Sequence, residues 1–287
     1  MLLPLEKKRI AQATRSLTGT GHAGFIKTIL GEIAQLPKEQ YPSPADLVRY
    51  IEEHTNELLE QRLVPQLKEE ILKGAEEPIL RPLEDVLCVF RVLNTSILTS
   101  LPQRGLDQFG VDESRFIQQP DQLLRDLMSL HLLKGPDARS QMYRLDPVVG
   151  FLLSLWLRRR KPELYRKDHE VALIIWDEGI QRTTNHFQLA YALEGLYHLQ
   201  CLREIEASQE KLADKTKYYL GQLRSAEKDL KALAIQLKEM ILEDNDLRWK
   251  VEEEARRFAP KTEEREKLVG NVYGALIAAF DEYLKKS

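Results

Sequence analysis

Two hundred and eighty-seven residues leave room for two or three domains. With 43% apolar and 30% charged residues, the composition is that of a soluble globular chain with a sizeable core. Forty-five acids against 42 bases give a formal charge of −3, which excludes a polybasic protein that holds nucleic acid by bulk charge. Two cysteines, Cys88 and Cys201, build neither a disulfide framework nor a zinc cluster, so a reducing, cytoplasmic setting is expected. The longest uncharged apolar stretch, Val148 to Leu157, is about half a membrane span, and no secretory leader opens the sequence, so no membrane association is expected.

Hydrophobic residues recur with a period near 3.6 almost throughout, which predicts a mainly α chain. Residues 4–36 read as two helices around the break TGTG, with Ala11, Ile26, Ile29, Leu30 and Ile33 on one seam. Ser43, Pro44 and Asp46 start the next helix, which kinks at Pro65 and stops at Gly74. Pro78 and Pro82 bracket a boundary. After it, Leu83, Val86, Leu87, Phe90, Leu93, Ile97 and Leu98 follow one another at helical spacing. Pro120 opens a short helix with Leu123, Leu124, Leu127, Leu130 and Leu133 inward. Leu132 to Lys134 and Met142 to Leu145 read as a β-hairpin turning at Gly135-Pro136-Asp137, and Asp146 caps a helix beginning at Pro147. Helices followed by a β-wing form the pattern of a winged helix-turn-helix.

From Pro162 the pattern is helical to the end. ELYRKDHEVALIIWDEGIQRT and HFQLAYALEGLYHLQCLREI read as an antiparallel pair, without a second copy at a fixed period. Over 205–258 a heptad runs through Leu212, Tyr219, Leu233, Met240 and Leu247 at one position and Leu223, Leu230, Leu237 and Val251 at the other. Unbroken, it makes a coiled-coil rod of roughly 75 Å at ~1.5 Å per residue. The cluster Glu243-Asp244-Asn245-Asp246 offers a break that turns the rod into a helical hairpin. Pro260 ends it, and Thr262 starts a last helix with Leu268, Val272, Leu276, Ile277 and Phe280 on one face. An exposed a/d seam needs a cover: the chain's own helices, a second copy, or a protein partner. The domains expected are a helical lid-like domain (1–78), a winged helix (79–160), a helical pair (161–204) and a coiled-coil-like helix plus terminal helix (205–287).

Chemistry-bearing motifs are scarce. There is no Walker A loop, no H-E-x-x-H, no paired-cysteine metal spacing and no G-x-S-x-G, so no catalytic residue, metal or cofactor is nominated and no enzyme activity is expected. Glu52-Glu53-His54 and Lys167-Asp168-His169-Glu170 place carboxylates beside histidines, and read as solvated helix faces because neighbouring side chains point about 100° apart. Cys88 and Cys201 read as buried, inert thiols.

LPLEKKRIAQATRSLTGTGHAGFIKTILGEI, then FRVLNTSILTSL to MYRLDPVVGFLLSLWLRR, then YALEGLYHLQ follow one another in an order that resembles a known family. It is that of the C-terminal regulatory region of bacterial STAND-type P-loop ATPases: helical lid, winged helix and helical extension. The resemblance covers roughly residues 2–205. It implies that ADP locks lid and winged helix onto a nucleotide core, and that ATP releases them for oligomerisation. It places Gly21, His22, Ala23 and Gly24 against adenine and sugar, where many members have proline at the position of Ala23. It places Asp146 where the family presents a histidine to the β-phosphate. A carboxylate there repels phosphate, so the resemblance implies a weakened lock, and the local pattern reads Asp146 as a helix cap. The nucleotide-binding core is absent from this sequence, so the chain alone is expected to hydrolyse no ATP, and such a core is one expected partner.

The function expected is therefore a non-catalytic regulatory or protein-interaction module of a STAND-like signalling or defence system. The alternative is a DNA-binding regulator that uses the helix from Pro120, with Arg125, Lys134, Arg139, Arg158, Arg159 and Arg160 as its cations. Asp121 and Asp126 oppose that reading, and the run Arg158 to Lys161 also suits a solvated helix end.

Overall fold

The computed structural model describes residues 54–70, 72–73, 75, 77–102, 118–136, 142–225, 229–259 and 261–286. The expected lid helices and the turn Gly21 to Gly24 lie outside the described residues, as do Arg139 and the tip of the hairpin. The chain is mainly helical, with one small three-stranded antiparallel sheet. It divides into two compact units, residues 1–135 with 143–165, and residues 136–142 with 166–287.

In the first unit, α1 (Thr55–Leu58) runs through a π-helical turn (Leu59–Leu63) into α2 (Val64–Glu70). The widened turn stands just before Pro65, whose ring would clash with the carbonyl four residues back in a regular helix. Helix α2 ends at Glu70, not Gly74: the Leu72 amide already reaches back five residues to the Leu67 carbonyl. Helix α3 (Glu77–Asp85) contains both Pro78 and Pro82, which therefore do not bracket a boundary. The single helix expected over 83–98 is also corrected. Past α3 come a 3-10 turn (Leu87–Val89), β1 (Val92–Leu93) and α4 (Thr95–Ser100). Residues 86–90 are all buried, and a run buried on every side carries no period that separates helix from strand. Asn94 restarts the helix by accepting from the Ile97 amide at 2.9 Å.

Helix α5 (Pro120–Ser129) has proline in its first turn and buries Leu123, Leu124 and Leu127. Strands β2 (Leu133–Lys134) and β3 (Tyr143–Leu145) pair antiparallel as expected, with β1 on the other side of β3. Val92 and Lys134 flank Arg144, whereas Leu133 faces Leu145, so the alternation of the strands turns one face to the core. Asp146 then caps α6 (Pro147–Arg160), its Oδ1 accepting from the Val148 and Val149 amides at 2.9 and 3.2 Å.

The second unit contains most of α7 (Pro162–Arg182), then α8 (His186–Glu204), α9 (Leu212–Gln222), α10 (Leu230–Glu243), α11 (Asn245–Phe258) and α12 (Thr262–Lys286). Helices α7 and α8 run antiparallel: His169 meets His198, Trp176 meets Tyr191, and Gln188 donates to the Ile180 carbonyl. Helix α8 is buried on nearly every side, with α9, α10 and α11 against it; α12 packs on those three in turn.

The unbroken rod is not formed. Its first break follows Gln222, where the buried Gln188 donates to the Gln222 carbonyl and accepts from the Arg224 amide at 2.7 Å, taking backbone groups that a continuing helix needs. The second is at Asp244, which ends α10 and caps α11 by accepting from the Leu247 amide at 2.7 Å. Leu212, Tyr219, Leu223, Leu233, Leu237, Leu247 and Val251 are buried within the chain itself, and Leu230 and Met240 half-buried.

Helix α12 has an open side. Nothing stands within 4 Å of where a Cβ at Gly274 would lie. Gly274→Ala is expected to raise stability by about 1 kcal/mol, the helix-interior penalty of glycine. A lower urea midpoint for this variant would show that the face is covered.

Candidate functional site

The surface expected to contact a partner or DNA is that of α5 and the outer face of the sheet. Thr95 Oγ1 donates to Asp121 Oδ1 at 2.8 Å, tying the start of α5 to α4. Gln122 Nε2 donates to Asp126 Oδ1 at 2.6 Å, and Gln122 Oε1 accepts from Arg125 Nη2 at 2.8 Å. Arg125 is thus held along the surface of its own helix by Gln122. Lys134 and Arg144 are exposed on adjacent strands.

The basic run at the end of α6 is committed inside its own unit. Arg160 pairs with Glu60 at 2.6 Å, and Lys161 donates to both oxygens of the buried Asp85 at 2.7 and 2.9 Å. Arg158 and Arg159 are half-buried. Acidic partners thus offset part of this positive charge, although the Arg160 and Lys161 side chains stay 56% and 45% exposed. Asp146, placed by resemblance near a phosphate, has Oδ1 engaged in the α6 cap.

The second unit holds a set of buried polar groups that sequence reasoning missed. Lys167 to Glu170 is not a solvated face: Asp168 and His169 are 0% exposed. Helix α8 supplies the reason, since it brings His198 against them, with the two Nδ1 atoms 2.7 Å apart. At that distance one ring nitrogen carries the proton and the other accepts it. His198 also stacks on Trp176 and meets Tyr197 edge-on at 5.4 Å. Neither histidine has exposed surface, and the pair ties α7 to α8.

Two further groups follow the same pattern. Asp177 on α7 accepts from Lys215 Nζ at 2.7 Å and Tyr219 Oη at 2.8 Å, both on α9. Glu204 at the end of α8 accepts from Lys250 Nζ of α11 at 2.9 Å, and Arg203 pairs with Glu254 at 2.9 Å. Gln200 Nε2 donates to Glu254 as well, at 2.7 Å. The available signal was α8 itself, which carries Glu194, His198, Gln200 and Glu204 without a continuous polar stripe.

Burial, then the charge of Asp177, pushes the Tyr219 phenol well above the ordinary tyrosine range. Burial and the nearby Asp244 push Tyr273 up to about 12. Both phenols release protons more readily when unfolded, near pH 10, so their share of the stability is complete below that pH and is lost as pH rises through the folded values. Near-ultraviolet titration of the ten tyrosines is expected to show two late ionisations that shift down in urea. A single step for all ten near pH 10 contradicts this.

Cys88 and Cys201 are both buried, and Cys88 Sγ donates to the Glu84 carbonyl. Among the described residues, no group of three or more His, Cys, Asp or Glu side chains is placed to hold a metal, and no helix is long and apolar enough to cross a membrane. No protein-family model, no curated protein and no solved structure matches this chain.

Proposed function

We propose that this chain is a regulatory protein-interaction module whose first unit is a winged helix used to dock protein, within a STAND-like signalling or defence system. It makes and breaks no covalent bonds itself. The order α3, β1, α4, α5, β2, β3, α6, with β1 and β2 flanking β3, supports the winged-helix reading. The STAND assignment rests on the sequence resemblance alone.

The observation that carries protein docking over DNA reading is the exposed face of α5. Base edges and phosphates call for Arg, Lys, Asn or Gln reaching outward. Here Gln122 is spent on Asp126 and Arg125, and two carboxylates would face the phosphate backbone. Lys134 and Arg144 on the wing favour the second reading, a DNA-binding regulator. Gel shift with random duplex DNA at low and physiological salt separates the two. Protein docking predicts no complex at either salt, and a salt-sensitive complex weakened by Lys134→Glu returns the assignment to DNA. For the noncatalytic part, the purified chain is expected to turn over no ATP; sustained release of phosphate refutes it.

A further inference from the structure

The heptad seam is covered mostly by the chain itself, whereas one whole side of α12 is left open. The other side packs on α9, α10 and α11 and buries Leu276, Ala279 and Phe280.

The open side is flat in the middle and charged at both ends. Across 270–278 its exposed residues are Gly270, Asn271, Gly274, Ala275 and Ala278, none larger than asparagine. Nothing stands within 4 Å of a Cβ built at Gly270 or Gly274. No neighbour within the chain therefore calls for glycine there, although glycine is the poorest helix residue after proline. What a helix face without Cβ atoms does allow is the close approach of another backbone.

The charges follow the same stripe. From Glu263 and Lys267 it runs through Gly270, Gly274 and Ala278 to Asp281 and Lys285, in steps of three and four, with every member exposed. It is symmetric about Gly274 with the sign inverted: Glu263 and Lys285 each lie eleven residues away, Lys267 and Asp281 seven. Gly270 and Ala278 lie four away. An antiparallel copy centred on Gly274 therefore sets each acid of the stripe opposite a base, and each small residue opposite a small one. A surface that matches itself in this way is what a two-fold interface requires. A parallel copy in register sets like charge on like charge instead.

These charges are open to such a partner. Among the described residues, Glu263, Lys267 and Lys285 form no ion pair. Asp281 is held by Lys238 at 3.0 Å, yet 51% of its side chain stays exposed. Glu264 and Glu282, beside the stripe, are occupied by Lys261 and by Lys217 with Lys286.

We propose that the open side of α12 is a self-association surface, on which a second copy of this chain docks antiparallel about Gly274. The surface belongs to the second unit, so its role does not depend on the winged-helix reading. Its 25 residues make a face about 37 Å long and roughly 10 Å wide, on the order of 400 Å² per copy and half of a standard interface. The dimer is therefore weak, and its exposed ion pairs set register more than affinity.

Sedimentation equilibrium of the full chain from about 5 µM to about 1 mM tests this, with half of the chain expected as dimer near about 0.1 mM. Gly274→Leu, whose side chain meets open space in the single copy, is expected to stay monomeric with an unchanged helical circular dichroism spectrum. Glu263→Lys is expected to weaken dimerisation about fivefold at low salt, and Glu263→Lys with Lys285→Glu to restore it. Gly274→Cys, on the two-fold axis, is expected to give a disulfide-linked dimer on mild oxidation. Gly270→Cys is not, because its counterpart is Ala278, and the native Cys88 and Cys201 are buried. In urea at low micromolar concentration the face is open, so the gain expected from Gly274→Ala stands. A monomer at the highest concentration, a dimer that survives Gly274→Leu, a charge swap that restores nothing, or Gly270→Cys linking as readily as Gly274→Cys overturns the proposal.

Discussion

Glu204→Ala is expected to destabilise the chain by roughly 3–5 kcal/mol, the range for breaking a buried ion pair by removing one partner. Glu204 is 0% exposed and Lys250 6% exposed, so the ammonium that remains cannot turn to water without dismantling the α8–α11 contact. Glu253, at 3.5 Å from that ammonium, is a poorer substitute for a carboxylate at 2.9 Å. A domain is held together by only about 5–15 kcal/mol, so this loss removes a large share of the total. The pair is nevertheless not itself a net source of stability, because both charges left water to form it. The double variant Glu204→Met with Lys250→Met, which replaces charge by apolar volume, is expected to recover most of the loss. Urea denaturation of the two single variants and the double variant measures the coupling. A single-variant cost under about 1 kcal/mol would mean that the pair behaves as a solvated one.

Gly195→Ala is the second large effect, at roughly 3–5 kcal/mol from overpacking and a lost bond to a charged acceptor. A Cβ at this position would lie 2.0 Å from Tyr219 Oη and 2.8 Å from its Cζ. The Tyr219 ring is fully buried, so it has no open direction in which to yield. Displacing it also pulls Oη from Asp177 and disturbs the carboxylate that holds Lys215. Tyr219→Phe alone removes the hydroxyl bond and is expected to cost about 1.5–3 kcal/mol. Because the phenylalanine lacks the nearest colliding atom and keeps only the milder contact at Cζ, Gly195→Ala and Tyr219→Phe together should cost less than the sum of the two. Strict additivity in denaturant midpoints would place the ring elsewhere.

The elements that could be read from the amino-acid sequence are those marked by local chemistry. Pro120, Asp146 with Pro147, and Thr262 each begin a helix where expected, and the hairpin of Leu133–Lys134 with Tyr143–Leu145 follows its short extended runs. These signals act within four residues, through a fixed proline φ or a carboxylate reaching nearby amides. The candidate site was legible only in part. Arg125, Lys134 and Arg160 were found as cations, but their availability depends on Gln122, on strand β3 and on Glu60, one of them a hundred residues away.

What local pattern determined by itself was the helical class, the helix starts and the position of the small sheet's hairpin. Tertiary structure alone decided that the chain leaves the helix after Asp85 and that Val92 and Leu93 pair with β3. It also decided that the heptad is cut at Gln222, whereas the cut at Asp244 falls in the acidic cluster where the sequence offered one, and that Asp168 and His169 are sealed inside. The physical reason is common to all three. A backbone amide, a carboxylate or an apolar side chain settles where its partner satisfies it, and for Val92, Gln222 and His169 that partner comes from Arg144, Gln188 and His198, distant along the chain and adjacent only once it has folded.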